Sequence, residues 1–92
     1  MFTGFVLVLA DPSRIAELSE ELAGLDGVSE VYAVTGEWDL VAVVRVRDHE
    51  RLADVVTVDI AKLGGIRRTE TMVAFRAYSR HDLDAAFALG AE

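Results

Sequence analysis

The pattern of hydrophobic and polar positions predicts a strand and then a helix at the start of the chain. The run Phe2–Ala10 (FTGFVLVLA) is almost continuously apolar, which is typical of a strand buried on both faces. In the segment that follows, Asp11 is placed to cap a helix and Pro12 suits its first position. Gly24 or Gly27 is expected to end this helix. Its buried side is predicted from apolar residues at helical spacing: Ile15, Leu18, Leu22 and Leu25.

The rest of the chain shows the same alternation of strands and helices. Val28–Thr35 and Leu40–Arg47 predict two strands joined as a hairpin. Asp48 is then placed to cap a second helix over HERLADVVTVDIAKLGG, and Ile66–Tyr78 predicts a fourth strand. A short C-terminal helix is expected after Ser79. The buried stripe of the second helix is predicted to contain Leu52, Val55, Val56, Ile60 and Leu63.

The predicted order of elements, βαββαβ with a short C-terminal helix, is that of a ferredoxin-like α+β fold. The first and third strands are the most apolar, so we expect them at the centre of the sheet, with the charged second and fourth strands at its edges. Both helices are expected to cover one face of the sheet. The opposite face is apolar too, and a second copy packed against it would form a dimeric α+β barrel.

Composition narrows the class of protein. A chain of 92 residues is one small domain, and its 52% hydrophobic content exceeds what one small core can hide, which favours an oligomer. The net charge of −7 argues against direct binding of nucleic acid. Cysteine is absent, which excludes disulfides and thiolate metal sites and favours the cytoplasm. The N-terminal stretch has neither a basic region nor the length of a membrane anchor.

The sequence offers no apparatus for catalysis. His49 and His81 each fall in the first turn of a predicted helix, and neither has a second ligand at metal-binding spacing. No nucleophile–base set and no glycine-rich phosphate loop is present. The pair Arg67 and Arg68 has the charge to bind an anion, but the favoured interpretation is a charged edge strand that discourages aggregation. We therefore expect no enzyme activity, no metal and no cofactor.

The segment VTGEWDL, residues 34–40, carries more than a chain reversal requires. Gly36 permits a positive φ, and backbone amides freed around it can receive a carboxylate. Asp39 can accept hydrogen bonds from an ammonium group, so together they suit the head of an amino acid. The alternative is a plain hairpin turn in which Asp39 bonds its own backbone and Trp38 packs locally. The residues alone leave both interpretations open.

The hairpin VYAVTGEWDLVAVVRV and the last strand GGIRRTETMVAF resemble a known family over about residues 2–78. In its topology and motifs the chain is similar to the effector-binding (RAM) domain of the Lrp/AsnC transcriptional regulators. The resemblance implies sheet-to-sheet dimers assembled into octamers or decamers, with an amino acid or similar small molecule bound in clefts between dimers. It implies ligand-binding roles for Gly36, Glu37, Trp38, Asp39, Thr69 and Thr71.

Full-length relatives place a helix-turn-helix domain before the RAM domain, whereas this chain begins at the first RAM strand. The sequence therefore predicts a single RAM domain over residues 1–92 without its own DNA-binding domain. Its expected role is to sense a metabolite and to regulate transcription or metabolism through full-length Lrp/AsnC relatives or an enzyme.

Two alternatives share the architecture. An ACT-like regulatory subunit usually has a glycine between strand 1 and helix 1, where this chain has ADPSR. A small dimeric α+β-barrel enzyme, such as a monooxygenase or a haem-degrading protein, needs polar or haem-ligating residues in the barrel interior, whereas these strands offer no histidine and few polar groups.

Overall fold

The computed structural model describes residues 1–80, which form one antiparallel sheet with helices. The strands are β1 (Phe2–Ala10), β2 (Val28–Ala33), β3 (Leu40–Val46) and β4 (Ile66–Ala74), and the α-helices are α1 (Ile15–Ala23) and α2 (His49–Asp54). The strand order is β2-β3-β1-β4, and every neighbouring pair is antiparallel. The predicted α+β fold is confirmed, with the two most apolar strands at the centre of the sheet. The predicted C-terminal helix and His81 lie outside the described residues.

Both helical segments begin at the aspartates expected to cap them. The Asp11 carboxylate accepts a hydrogen bond from the Ser13 amide at 3.0 Å, and a 3-10 turn (Pro12–Arg14) then leads into α1. This hydrogen bond lowers the pKa of Asp11 from its ordinary value. Asp48 accepts from the Arg51 amide at 2.8 Å and caps α2 in the same way. Each cap satisfies an amide that the helix itself leaves unbonded.

The hydrophobic core lies between the helices and one face of the sheet. Alternate residues of β1 and β3 face the helices, as the period of a strand requires. Leu18 and Leu22 of α1 meet this face, and Leu52 of α2 joins them. Ile15, Leu25, Val56 and Leu63 are only partly buried. The remaining core residues are Val6, Val8, Ala10, Leu40, Ala42, Val44, Val46, Val55 and Ile60.

The second helical segment departs from the single α-helix predicted from its pattern. The α-helical turns end at Asp54, a wider π turn spans Val55–Asp59, and a 3-10 turn spans Ile60–Lys62. This run is rich in β-branched residues, which fit an α-helix poorly. The Thr57 hydroxyl also donates to the Ala53 carbonyl at 2.6 Å, a bond from a side chain to the preceding turn that is known to distort helices.

Three strands are shorter than the sequence predicted. β2 ends at Ala33 rather than Thr35, and β3 ends one residue early, at Val46. β4 ends at Ala74 rather than Tyr78 because Ala74 pairs with Thr3, close to the start of β1. Only Phe2 of β1 lies beyond that point, so β1 offers almost no further residues for β4 to pair with. A pattern of apolar residues predicts where a strand can form, but the strand ends where it has no partner strand to hydrogen-bond with.

The face of the sheet opposite the helices has no covering layer within residues 1–80; we call it the bare face. Its centre is apolar, and Val43 is buried there outside the main core. Towards the edges, Tyr32 and Met72 are about half exposed. The strand registers assign the following residues to the bare face: Phe5, Leu7, Leu9, Tyr32, Val41, Val43 and Met72. The prediction that both helices lie on one face is confirmed.

Candidate functional site

Residues 34–39, the 34–39 loop, join β2 to β3 beside the C-terminal end of β1. The Val34 amide donates to the Asp39 carbonyl at 3.0 Å, and the Asp39 amide donates to the Val8 carbonyl at 2.9 Å. Between these anchors Gly36 has a φ of +107°, which side-chain-bearing residues rarely adopt. A Cβ atom added at Gly36 would meet nothing within 4 Å. The ends of the loop are therefore fixed while its tip stays open.

Asp39 has a structural role that the sequence did not reveal. Its Oδ2 accepts a hydrogen bond from the Ala10 amide at 2.9 Å, across 29 positions of the chain. The pairing of β1 with β4 shifts register between Leu9 and Ala10, so the carboxylate satisfies an amide at an irregular point of the sheet. The proposed hairpin alternative had Asp39 bonding its own loop, but here its side chain bonds a neighbouring strand. Oδ1 receives no hydrogen bond from residues 1–80.

Two substitutions at Asp39 are expected to show whether its charge or its hydrogen bond with Ala10 stabilises the fold. Asp39→Asn keeps a side-chain oxygen for the Ala10 amide, so its free energy of unfolding should stay close to that of the wild type. Asp39→Ala leaves the amide of the buried Ala10 unbonded and should lower the free energy of unfolding by about 1–3 kcal/mol. Urea denaturation followed by circular dichroism measures both. Equal stability of the Ala and Asn variants would show that the bond to Ala10 contributes nothing.

Arg68 contacts the 34–39 loop, although the sequence analysis considered anion binding at Arg67 and Arg68 and did not place either residue in the site. Its Nη2 donates to Oε2 of Glu37 at 3.2 Å, and its guanidinium carbon lies 4.8 Å from the centre of the Trp38 ring. Arg68 pairs with Leu9 on the bare face, so its side chain reaches the loop across the end of β1. The sequence analysis favoured a role for Arg68 as a charge on an edge strand. The signal lay in the strand order, which brings this end of β4 level with the hairpin.

The two threonines of the predicted site lie on the other face of β4. Thr69 pairs with Val8 and Thr71 pairs with Val6, both of which face the helices. β1 separates β4 from β3, so two strand spacings of about 4.8 Å lie between Thr69 and the start of β3. Within one chain the structure therefore brings together Glu37, Trp38 and Arg68, and Asp39 follows them in the loop with its side chain bonded to Ala10. It does not bring Thr69 or Thr71 into contact with the loop.

Other candidate positions contribute little to this site. His49 packs its ring against Phe2, with ring centroids 4.0 Å apart. No cluster of histidine and acidic side chains able to hold a metal ion occurs within residues 1–80. In the same stretch of chain, no helix is long and apolar enough to cross a membrane. A cavity of about 470 Å³, lined by Thr3, Phe5, Arg45 and their neighbours, lies at the end of the bare face away from the loop.

Comparison with protein families settles the family of this chain. Residues 3–83 match the model of the Lrp/AsnC ligand binding domain, which covers nearly the whole sequence. The chain belongs to the Lrp/AsnC family. Among curated relatives, an uncharacterized HTH-type transcriptional regulator of Pyrococcus horikoshii is 37% identical over 76 residues, which are 79% of this chain and 51% of that protein. The Lrp/AsnC chain thus spans about half the length of the curated relatives it matches.

Solved structures show the same domain. The crystal structure of TTHA0845 from Thermus thermophilus is 54% identical with a TM-score of 0.82, covering 87% of this Lrp/AsnC chain and all of that one. A transcriptional regulator from Neisseria meningitidis, solved as a complex with L-Met, is 14% identical with a TM-score of 0.76. The match covers 86% of this chain and 53% of the Neisseria chain, and this likeness concerns the fold alone. Together these findings confirm the resemblance and the fold class expected from the sequence.

Proposed function

We propose that this chain is an effector-binding regulatory domain that senses an amino acid or a similar small zwitterion at the 34–39 loop. One observation carries the proposal. The loop combines an open, positive-φ glycine with the Asp39 carboxylate, so that groups able to receive an anion and a cation lie within four consecutive residues. Its membership of the Lrp/AsnC ligand-binding family supports a small-molecule effector.

The chemistry of the loop matches the two charges of a zwitterion. Within residues 1–80, the backbone amides of residues 35–38 donate to no backbone carbonyl, so they remain available to a carboxylate. Asp39 Oδ1 remains available to an ammonium group while Oδ2 holds the Ala10 amide. Glu37 and Trp38 line the same side of the loop. The Neisseria regulator was solved with L-Met, which supports an amino acid as the kind of effector that suits this fold.

The assembly we propose completes the site. A second copy covers the bare face and forms a dimer, and dimers associate further into octamers or decamers. Thr69 and Thr71 are exposed on β4 and do not reach the loop of their own chain. In the assembly they line the cleft from a neighbouring subunit. The cavity beside Phe5 lies on the face that the second copy covers, so we assign it to the dimer interface and not to the effector.

The chain is proposed to regulate transcription or metabolism in the cytoplasm through protein contacts, including contacts with full-length Lrp/AsnC relatives. Its curated relatives are transcriptional regulators. With 16 acidic and 9 basic residues, these 92 residues repel a phosphate backbone. We expect an electrophoretic mobility-shift assay at moderate salt to show no complex between this chain and DNA. A tight complex that survives competitor DNA would contradict this part of the proposal.

A thermal-shift screen of the proteinogenic amino acids tests the function, with two glycine variants as a matched pair. Gly36→Ala should bind the effector at least about tenfold more weakly, because a side chain disfavours the φ of +107° that presents the loop amides. Gly64→Ala is the control, since a Cβ atom there also meets open space and its φ is not positive. The proposal fails if no amino acid raises the melting temperature of the wild type, or if both variants bind equally well.

A further inference from the structure

The contact between Arg68 and the 34–39 loop joins two distant parts of the chain by a weak bond. Only one guanidinium nitrogen of Arg68 contacts Glu37, at 3.2 Å, and it does so through a single carboxylate oxygen. The side chains are 58% and 73% exposed, respectively. Ion pairs so open to water contribute little to stability. The contact is therefore one that another carboxylate can readily replace.

Trp38 gives this weakly paired guanidinium a defined position. The charge lies 4.8 Å from the ring centre, a distance typical of a cation held over an aromatic face. Held there, a guanidinium keeps the N–H groups along its edge available, and this planar fork matches the two oxygens of a carboxylate. Residues 1–80 supply Arg68 with one carboxylate oxygen, which leaves the rest of the fork unused.

The 34–39 loop also holds acceptors and donors for the rest of a zwitterion. Its free amides at residues 35–38 and the Asp39 carboxylate lie in the segment that Arg68 reaches from β4. A carboxylate offers about four lone-pair sites, so it can accept from loop amides and from Arg68 together. Glu37 supplies the same chemical group from within the chain. Glu37 contacts Arg68 through one carboxylate oxygen, whereas the guanidinium can bind both oxygens of a carboxylate.

We propose that Arg68 is a specificity-determining residue that binds the carboxylate of the effector, and that Glu37 occupies it in the effector-free protein. The inference rests on the proposed function and adds to it in two ways. It gives the carboxylate of the effector a side-chain partner, Arg68, in addition to the loop amides. It also makes Glu37 an internal competitor, so that binding exchanges one carboxylate for another on the same guanidinium.

The test uses Trp38, the single tryptophan of the chain, as a fluorescence reporter. Wild type, Arg68→Gln, Arg68→Lys and Glu37→Gln are titrated with the proteinogenic amino acids and with the primary amide of each. Arg67→Gln is the matched control. It removes the same charge from the neighbouring position, whose side chain makes no hydrogen bond or ion pair with the loop within residues 1–80. Circular dichroism confirms that each variant is folded.

The expected pattern separates the roles of the two side chains. In the wild type an amino acid binds and its amide binds about tenfold to a hundredfold more weakly. Arg68→Gln binds the acid more weakly by a similar factor, and it distinguishes acid from amide less strongly because only the loop amides still contact the carboxylate. Arg68→Lys is intermediate because it keeps the charge but not the planar fork. Glu37→Gln binds the acid up to about fivefold more tightly, since the competing carboxylate is gone.

Three results would overturn the inference. In the first, Arg68→Gln binds like Arg67→Gln; in the second, acid and amide bind the wild type equally. In the third, Glu37→Gln weakens binding of the acid. The first and third results leave the proposed function standing, because an effector with a carboxylate still binds. The second also contradicts the carboxylate that the proposed function assigns to the loop amides. If no amino acid changes the fluorescence or melting temperature of the wild type, the proposed function and this inference fail together.

Discussion

A lysine in place of Leu7 is expected to convert the protein from an oligomer into a folded monomer. Leu7 lies on the bare face of the central strand β1, between Val41 of β3 and Glu70 of β4. In a dimer packed through this face, the new charge would be buried without a partner, which costs several kcal/mol and should weaken association at least about a hundredfold. In the monomer, the introduced lysine points to water and lies beside Glu70, so the fold should survive.

Light scattering coupled to size-exclusion chromatography measures this effect directly. The wild type is expected to elute as a dimer or a larger assembly, and Leu7→Lys as a monomer with an unchanged circular dichroism spectrum. Ala61→Lys adds the same charge at an exposed position of the helical layer and should keep the dimer. A wild type that scatters as a single 10.0 kDa chain would contradict dimerisation through the bare face.

Substituting alanine for Gly27 is expected to destabilise the fold strongly. Gly27 has a φ of +97°, and a Cβ atom there would lie 3.1 Å from methyl groups of Val46 and Val55. Both valines are buried in the core, so they cannot move aside freely. Backbone strain of about 1–2 kcal/mol adds to the cost of crowding a packed core, about 1–3 kcal/mol. We expect the free energy of unfolding to fall by about 2–5 kcal/mol.

Gly24→Ala is the control for this substitution. Gly24 has a φ of −84°, and the nearest atoms to an added Cβ lie at 3.5 Å, an ordinary contact distance. Its free energy of unfolding should change by less than about 1 kcal/mol. Urea denaturation of both variants is compared at one protein concentration, because association stabilises the folded chain. If the two variants lose equal stability, the crowding at Gly27 is not what limits substitution there.

The fold was predictable because its determinants are local or periodic. The apolar runs of β1 and β3 identified the sheet centre, and Asp11 and Asp48 marked helix starts through bonds that span two or three residues. Boundaries were less predictable. The end of β4 depends on where its partner strand β1 begins. The π turn after Asp54 depends on how a β-branched run packs.

The candidate site was predictable only in part, because some of its contacts join residues that are far apart in the chain. Gly36 was recognisable because a tight loop needs a positive φ, a property of one residue. The bond from Asp39 to Ala10 and the contact of Arg68 with Glu37 join positions 29 and 31 apart in the chain. Such pairs arise from the order and register of the strands, which no single motif encodes.

Mapping of amide chemical shifts on the isotopically labelled protein tests most directly whether the 34–39 loop is the effector site. The protein is titrated with the proteinogenic amino acids, and the amide resonances of residues 35–38 are followed together with those of β4. We expect at least one amino acid to shift the loop amides in a saturable way, with Thr69 and Thr71 responding through the neighbouring subunit. If no amino acid shifts these resonances, or if the largest changes surround Phe5 and Arg45 instead, the effector site is not at this loop.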